Sequence, residues 1–190
     1  MISRIDHVSL AVKDYEKAQN FFVALFGAVP GAFADDEHLK YHWRIFSLGD
    51  LSRLELLKST GDGSFLENFY RRNPHGGVHH ITLETPDIGH VKSVLEKKDI
   101  PFFGYAEYGD VWKELFIHPR DAFGVLIQVA EFRPDDFLDD RVKLPAGKKW
   151  SVHKDHRGIR LALAHPGGGT CEVRLTDAEA AMLMEDLKQG

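Results

Sequence analysis

The pattern in Ile5-Asp-His-Val-Ser-Leu-Ala-Val-Lys-Asp14 returns later in the chain as Val78-His-His-Ile-Thr-Leu-Glu-Thr-Pro-Asp87. Each stretch has a histidine near its start, alternates apolar and polar residues as a half-buried strand does, and ends at an aspartate. His7 lies 73 residues before His80, and the two closing aspartates are separated by the same distance. The fold is therefore expected to contain related strands in its two halves.

The same spacing links a second pair of strands. Arg53-Leu-Glu-Leu-Leu57 and Leu126-Ile-Gln-Val-Ala130 are mainly apolar runs with one polar residue at the centre, and Glu55 lies 73 residues before Gln128. One spacing that relates two separate pairs of strands indicates that the chain contains two copies of a module.

Each copy reads as a strand, then a helix, then further strands. Asp14 and Asp87 follow the first strands, and aspartate is a favoured helix N-cap. The residues after them are apolar at helical spacing, which predicts amphipathic helices that cover one face of a sheet. The predicted apolar stripes comprise Ala18, Phe21, Phe22 and Leu25 in the first helix and Val91, Val94 and Leu95 in the second.

Polar residues occupy the strand face that these helices leave uncovered. Alternation places His7 and His80 opposite the apolar residues of their strands, and the second pair of strands adds Glu55 and Gln128. A buried polar group without a partner costs about 1–3 kcal/mol, and a cation bound by all four residues would remove that cost. We therefore predict that His7, Glu55, His80 and Gln128 bind one divalent metal ion.

The composition is that of a globular protein. Of the 190 residues 43% are hydrophobic and 28% are charged, and the formal net charge is −5. This charge argues against a nucleic-acid partner, because binding phosphates needs clustered Lys and Arg. No apolar run reaches the roughly 18 residues of a membrane span, and the single cysteine, Cys171, cannot form an intramolecular disulfide. These features predict a cytoplasmic protein with no membrane partner.

The pattern changes after Phe132. Residues 133–140 are acidic and read as a linker, and three short alternating segments after them predict a small β-meander. Thr176 and Glu179 form a capping-box pattern at the start of a final helix. We predict a metal-binding domain over residues 1–132 and a small extension of strands and one helix over residues 133–190.

The duplicated part resembles the vicinal oxygen chelate superfamily, which includes glyoxalase I, bleomycin resistance proteins and extradiol dioxygenases. Within it, the likeness is greatest to the methylmalonyl-CoA epimerases. Besides the opening strand, it rests on Phe65-Leu-Glu-Asn-Phe, on Gly76-Gly-Val-His-His-Ile81 and on Gly124-Val-Leu-Ile-Gln128. The resemblance implies an α+β fold in which two βαβββ modules, about 1–60 and 76–132, form one cupped mixed sheet around a metal cleft.

The resemblance also assigns the ligand positions to His7, Glu55, His80 and Gln128. In the epimerases the last-strand ligand is usually a glutamate that also acts as a base, whereas this chain has Gln128 there and carries its carboxylate at Glu55. Epimerisation ordinarily needs a base on each face of the reacting carbon. We expect Glu55 to be one catalytic base and Glu84 to be the second, because Glu84 shares a strand face with His80. The other candidates for the second base are Glu37, His38 and His42.

These residues leave several functions open. The leading hypothesis is a metal-dependent epimerase that acts on a 2-acyl thioester through an enolate. The alternatives are a glyoxalase I-like lyase that acts on a hemithioacetal, an Fe²⁺ dioxygenase with His7, His80 and Glu55 as its facial triad, and a non-catalytic small-molecule binder. Two imidazoles, a carboxylate and an amide suit Co²⁺, Ni²⁺, Mn²⁺ or Zn²⁺. The predicted partners are a small-molecule substrate such as a CoA thioester and a second copy of the chain in a homodimer.

Overall fold

The first module consists of four strands and one helical segment. The protein is represented by a computed structural model that describes residues 1–49 and 52–189. Module one comprises β1 (Arg4–Ala11), α1 (Tyr15–Asn20), a π-helical turn (Phe21–Leu25), β2 (Val29–Asp36), β3 (Tyr41–Leu48) and β4 (Ser52–Ser59).

The second module repeats this order. After the connecting helix α2 (Leu66–Arg72), module two comprises β5 (Gly77–Glu84), α3 (Ile88–Lys97), β6 (Phe103–Tyr108), β7 (Trp112–Ile117) and β8 (Ile127–Phe132). The predicted duplication of a βαβββ unit is therefore confirmed.

The two modules join edge to edge in one eight-stranded mixed sheet. Its strand order is β2-β3-β4-β1-β5-β8-β7-β6, with the two first strands, β1 and β5, antiparallel at the centre. Each first strand is parallel to the last strand of its own module, which places Ser9 beside Glu55 and Thr82 beside Gln128. The predicted α+β fold with a cupped mixed sheet is confirmed, and its centre brings the matching positions of both modules together.

A helix covers the outer face of the sheet in each module. Asp14 and Asp87 cap these helices as predicted, with carboxylate oxygens that accept from the N–H groups of Lys17 and His90. The core of module one contains Phe46, Leu54 and Leu56, and the core of module two contains Val91, Leu95, Leu115 and Val129. The polar face opposite these cores is left for the cleft.

The predicted apolar stripe of the first helix is wrong at two positions. Phe21 and Leu25 are 50% and 63% exposed, whereas Ala18 and Phe22 pack on the core. The reason is the change from α-helix to π-helix at Phe21, which alters the angle between successive side chains and rotates the stripe off the core.

The extension beyond Phe132 forms a second, smaller sheet and a helix. β9 (Trp150–Asp155), β10 (Gly158–Ala164) and β11 (Thr170–Leu175) are antiparallel, and α4 (Asp177–Gln189) begins at the predicted capping box, in which Thr176 and Glu179 bond each other's N–H groups. The last residue of the predicted extension, Gly190, lies outside the described residues. None of the described helices has the length and apolar character needed to cross a membrane.

The extension docks on module one through close backbone approaches. The Arg53 guanidinium of module one donates to the carbonyl oxygens of Gly167 at 3.2 Å and of Pro134 at 3.4 Å. Within the extension, the Gly169 N–H donates to Asp135 Oδ1 at 2.8 Å. On β2, Gly31 faces the carbonyl oxygen of Phe137 so closely that any Cβ at that position would collide with it. These contacts fix the segment around Phe137 against the open side of the cleft.

Candidate metal centre

Three of the four predicted ligands converge at the centre of the sheet. His7, Glu55 and His80 are buried, and each offers a ligand atom within 4.8 Å of the others. Glu55 Oε2 lies 3.8 Å from His7 Nε2 and 3.6 Å from His80 Nε2. These distances are wider than direct hydrogen bonds, as expected when several ligand atoms surround a common point.

Two hydroxyl groups lie between the ligands and repeat the symmetry of the modules. Ser9 Oγ contacts Glu55 of its own module and lies 2.8 Å from His80 Nε2 of the other. Thr82 Oγ1 donates to Gln128 Oε1 of its own module at 2.5 Å and lies 2.9 Å from His7 Nε2 of the other. Each hydroxyl therefore orients one ligand from each module.

The residue before each histidine holds the far side of its ring. His7 Nδ1 lies 2.7 Å from Asp6 Oδ2, and His80 Nδ1 lies 2.9 Å from His79 Nδ1. A partner at Nδ1 fixes the tautomer and leaves Nε2 as the coordinating atom. Both imidazoles are thus oriented with Nε2 toward the cleft.

A buried ion network lies behind His7. The Asp6 carboxylate accepts from Arg4 at 2.7 Å and also contacts the guanidinium of Arg53, which in turn reaches the extension at Gly167. The contacts with two guanidinium groups fix the Asp6 carboxylate in position. The orientation of His7 is therefore connected to residues far from the cleft.

Gln128 connects the ligands to a further carboxylate. Its Nε2 donates to Glu114 Oε2 at 2.7 Å, which leaves Oε1 on the side of Thr82 and the two histidines. Trp112 Nε1 donates to the same Glu114 oxygen at 2.9 Å. The amide is thus held with its oxygen available as a ligand and its nitrogen turned away.

Burial sets the protonation of the site. It holds the pKa of His80 well below its ordinary value and lowers the pKa of His79 to about 4, so both rings are neutral at pH 7. It raises the pKa of Glu55, an effect opposed by His7 and by the Ser9 hydroxyl. The pKa of Glu114 is also raised by burial, and hydrogen bonds from Trp112 and Gln128 oppose that rise.

A cavity of about 270 Å³ opens from these ligands to solvent. Three of the predicted ligands, His7, Glu55 and Gln128, line it, and so does Glu114. The rest of its lining is mainly aromatic and includes Tyr41, Trp43, Tyr108, Trp112 and Phe137. A small molecule in this cavity would be in reach of two carboxylates at the metal centre.

The four predicted candidates for a second base lie elsewhere. Glu84 accepts from Arg4 Nε at 2.7 Å, and His42 contacts Asp35 and Tyr15 on the helix side of the sheet. Glu37 and His38 are exposed in the turn between β2 and β3. Among the residues that the structure describes, none of these four lines the cavity.

Sequence reasoning missed Glu114 and Asp6. Glu114 carried a detectable signal, because alternation in Trp112–Ile117 puts it on the face opposite the buried, helix-facing Leu115. Asp6 gave no comparable signal, since an acidic residue beside a histidine is common on exposed strands. Its role as the partner of His7 becomes evident only from the structure, in which it also contacts the buried Arg53.

The donor set fits a divalent metal ion. Two imidazoles and one carboxylate are ligands expected for Zn²⁺ and neighbouring transition metals, and the Nδ1 partners of both imidazoles are present. The burial of three such groups at one point is costly without a cation between them. His7, Glu55 and His80 could therefore hold a metal ion.

Comparisons with known proteins agree with this geometry. The family model described as "Glyoxalase/Bleomycin resistance protein/Dioxygenase superfamily" matches residues 6–116. The chain is 34% identical over 134 residues to an ethylmalonyl-CoA/methylmalonyl-CoA epimerase of Cereibacter sphaeroides, a match that covers 69% of this chain and 99% of the relative. It is also 34% identical over 133 residues to the human mitochondrial methylmalonyl-CoA epimerase, covering 68% of this chain and 74% of the relative.

Solved structures share the fold. A Streptomyces coelicolor methylmalonyl-CoA epimerase superposes with a TM-score of 0.63 at 24% identity, covering 70% of this chain and 99% of that chain. A Mycobacterium tuberculosis methylmalonyl-CoA epimerase gives the same TM-score at 21% identity, covering 70% of this chain and 90% of that chain. With its duplicated modules, its ligand cluster and these relatives, the chain belongs to the glyoxalase/bleomycin resistance protein/dioxygenase superfamily.

Proposed function

We propose that this chain is a divalent-metal-dependent epimerase of a 2-acyl CoA thioester, with His7, Glu55, His80 and Gln128 as the metal ligands. The curated relatives are methylmalonyl-CoA epimerases, and two of them are 34% identical to the chain. The single observation that carries the proposal is the pair of cavity carboxylates, Glu55 and Glu114, beside a buried cluster that fits a metal. Epimerisation needs two such groups, one to remove a proton and one to return it.

The proton transfers are assigned to these two residues. A divalent ion held by His7, Glu55, His80 and Gln128 would supply positive charge that stabilises an enolate and lowers the pKa of the neighbouring C–H. The Glu55 carboxylate removes the α-proton on one face of the carbon, and the Glu114 carboxyl group delivers a proton to the other. We assign the second role to Glu114 rather than Glu84, because Glu84 is engaged by Arg4 outside the cavity.

The raised pKa values of the two glutamates support this assignment. A carboxyl group in a dry site exchanges protons with a weakly acidic carbon more readily when its pKa lies closer to the operating pH. Burial is the main cause of the rise in pKa at both Glu55 and Glu114. Glu114 raises the pKa of Glu55 further, and Asp36 raises the pKa of Glu114 further.

The test is α-proton exchange in deuterated water. Methylmalonyl-CoA is incubated with the Co²⁺-loaded protein, and incorporation of deuterium at the α-carbon is followed by NMR. Glu114→Gln is expected to keep one metal ion per chain and to lose about 10²–10⁴-fold in exchange rate, the usual contribution of an acid–base group. An active Glu114→Gln protein would remove Glu114 from the mechanism, and no exchange by the wild type would reject the epimerase.

A second candidate is a glyoxalase-like lyase, favoured by the position of the ligand carboxylate in module one at Glu55. It predicts turnover of the hemithioacetal formed by methylglyoxal and a thiol, with the same metal-loaded protein. Turnover of this substrate without exchange on methylmalonyl-CoA would select the lyase.

The homodimer and the cytoplasmic location stay predictions. Light scattering after size-exclusion chromatography tests the first, with a mass of twice 21.5 kDa as the expected result.

A further inference from the structure

We propose that the substrate carries a bulky, uncharged apolar group beside its metal-binding oxygens, and that Phe137 of the extension forms the wall against which this group packs. This inference rests on the proposed function, because it names the substrate class that the same site would take. The methyl group of methylmalonyl-CoA would fill little of the cavity beside Phe137.

Three aromatic rings line the cavity together with three of the predicted ligands. Trp43, Trp112 and Phe137, together called the aromatic wall, all line it. The Phe137 ring centroid lies 5.3 Å from that of Trp112 and 6.3 Å from that of Trp43, so the three rings form one continuous surface. Such a surface binds an apolar group through burial and ring contacts.

The charges of the lining point to an uncharged group. Its ionisable carboxyl groups are Asp36, Glu55 and Glu114, and no Lys or Arg lines the cavity in the described part of the chain. An anion held against the aromatic wall would be desolvated without a cationic partner. The substrate's anionic oxygens therefore belong at the metal ligands, and the neighbouring substituent is apolar.

Phe137 is held in place by several independent contacts. The missing side chain of Gly31 allows the Phe137 carbonyl to approach β2, the Gly169 N–H bonds Asp135 at 2.8 Å, and the Phe132 ring packs 5.3 Å from the Phe137 ring. A wall with this support is preformed and loses little entropy when a ligand packs on it.

Phe137 follows the second module, whose last strand ends at Phe132. The match to the Cereibacter relative covers 99% of that relative but only 69% of this chain, so nearly a third of this chain has no counterpart in it. We expect the extension, and the wall that Phe137 supplies, to be where this chain's choice of substrate differs from that of an ethylmalonyl-CoA/methylmalonyl-CoA epimerase.

The experiment measures binding without turnover. The full-length Co²⁺-loaded protein is titrated by calorimetry with 2-methylmalonate and with 2-benzylmalonate, which present the same two carboxylates and differ in the α-substituent. We expect 2-benzylmalonate to bind at least about tenfold more tightly, the gain from burying an aromatic ring. Phe137→Ala should remove about tenfold of that preference and leave 2-methylmalonate within about threefold.

The matched control is Phe123→Ala, because Phe123 is fully exposed and lies outside the cavity. It should bind both diacids as the wild type does. If Phe137→Ala does not fold by circular dichroism, Phe137→Leu takes its place with a smaller loss of preference. Equal affinity for the two diacids, no binding of 2-benzylmalonate, or a preference unchanged in the Phe137 variant would each overturn the inference.

The outcomes also separate this inference from the proposed reaction. A preference for 2-benzylmalonate in a protein that exchanges no α-proton of either methylmalonyl-CoA or 2-benzylmalonyl-CoA would reject the epimerase and keep the apolar pocket. Exchange on methylmalonyl-CoA with equal binding of the two diacids would reject the pocket and keep the epimerase.

Discussion

The two modules build the same half-site with different charges. In both, the preceding residue holds the histidine at Nδ1, and a hydroxyl group orients the predicted ligands. The two hydroxyl groups belong to Ser9 and Thr82, which are 73 positions apart. Module one uses the charged Asp6 behind its histidine, whereas module two uses the neutral His79, packed between Phe65 and Phe69. The repeat has kept the geometry, and the differences lie in where negative charge is placed.

The carboxylates of the cavity show the same division. Module one contributes Glu55 from its last strand, and module two contributes Glu114 from the strand beside its last one. The strand register puts Glu114 opposite Ala130, and the matching position in module one is Trp43, opposite Leu57. Asp36 of module one also lines the cavity, and the two proposed proton-transfer groups come one from each module. This arrangement suits a reaction that needs such a group on two faces of one carbon.

The largest effect is expected when the carboxylate ligand is moved between modules. In Glu55→Gln combined with Gln128→Glu, the ligand set keeps its charge and number. The carboxylate ligand and Glu114 then both belong to module two. We expect one metal ion per chain and a fall of about 10²–10⁴-fold in α-proton exchange. Metal analysis and deuterium incorporation measure the two effects.

The matched control exchanges the hydroxyls instead. Ser9→Thr with Thr82→Ser moves no charge between the modules and should retain activity within about tenfold of the wild type. Full activity of the carboxylate exchange would show that the side of the metal from which the acid acts does not matter, contrary to the two-base mechanism.

A smaller effect is expected from the residues behind the histidines. Asp6→Asn should weaken metal binding by about 10–100-fold, because it removes the charged partner of His7 Nδ1. His79→Phe should weaken it less, since the neutral His79 contributes a hydrogen bond without a charge. Competition with a chelator gives both affinities, after circular dichroism has established that the variants are folded.

Asp140→Asn is the control for these titrations, because Asp140 has a fully exposed side chain. Equal losses in the two variants, or a greater loss in His79→Phe, would mean that the charge difference between the modules has no bearing on metal affinity.

The smallest effect concerns stability and pH in the metal-free protein. Burial lowers the pKa of His79 from 6.5 to about 4, so the unfolded chain takes up a proton there before the folded chain does. The free energy of unfolding is therefore highest above pH 6.5 and falls by about 3 kcal/mol as the pH drops toward 4. Urea unfolding at pH 7 and pH 4.5 should show that the free energy of unfolding falls less between the two pH values in His79→Leu than in the wild type.

His38→Leu serves as the control, because it removes an imidazole from an exposed turn. An equal fall in the free energy of unfolding in the wild type and in His79→Leu would rule out His79 as the source of the pH dependence.

Much of the fold was predictable because local sequence patterns indicate its strands and helices. The spacing of 73 residues, the alternation in β1 and β5 and the caps at Asp14 and Asp87 require no knowledge of distant contacts. The π-helical turn at Phe21 was not predictable in this way, because apolar residues at helical spacing look the same whether or not the helix widens.

The candidate site was predictable where the repeat marked it. His7, Glu55 and His80 meet, and their spacing alone indicated that they would. Glu114 was missed although alternation in its strand places it on the cleft face, whereas Phe137 was missed because it reaches the cavity only through tertiary contacts. Phe137 in particular follows the duplicated part, and its position depends on contacts with Gly31 and the Gly167–Gly169 turn.

Gly31 has a consequence for how this protein can vary. The Phe137 carbonyl group packs against the α-carbon of Gly31, and even the methyl group of an alanine there would push that segment away from β2. Among natural variants, the loss of this glycine and the retention of the C-terminal segment should therefore seldom occur together. A side chain at position 31 would mark chains whose cleft stays open at this end.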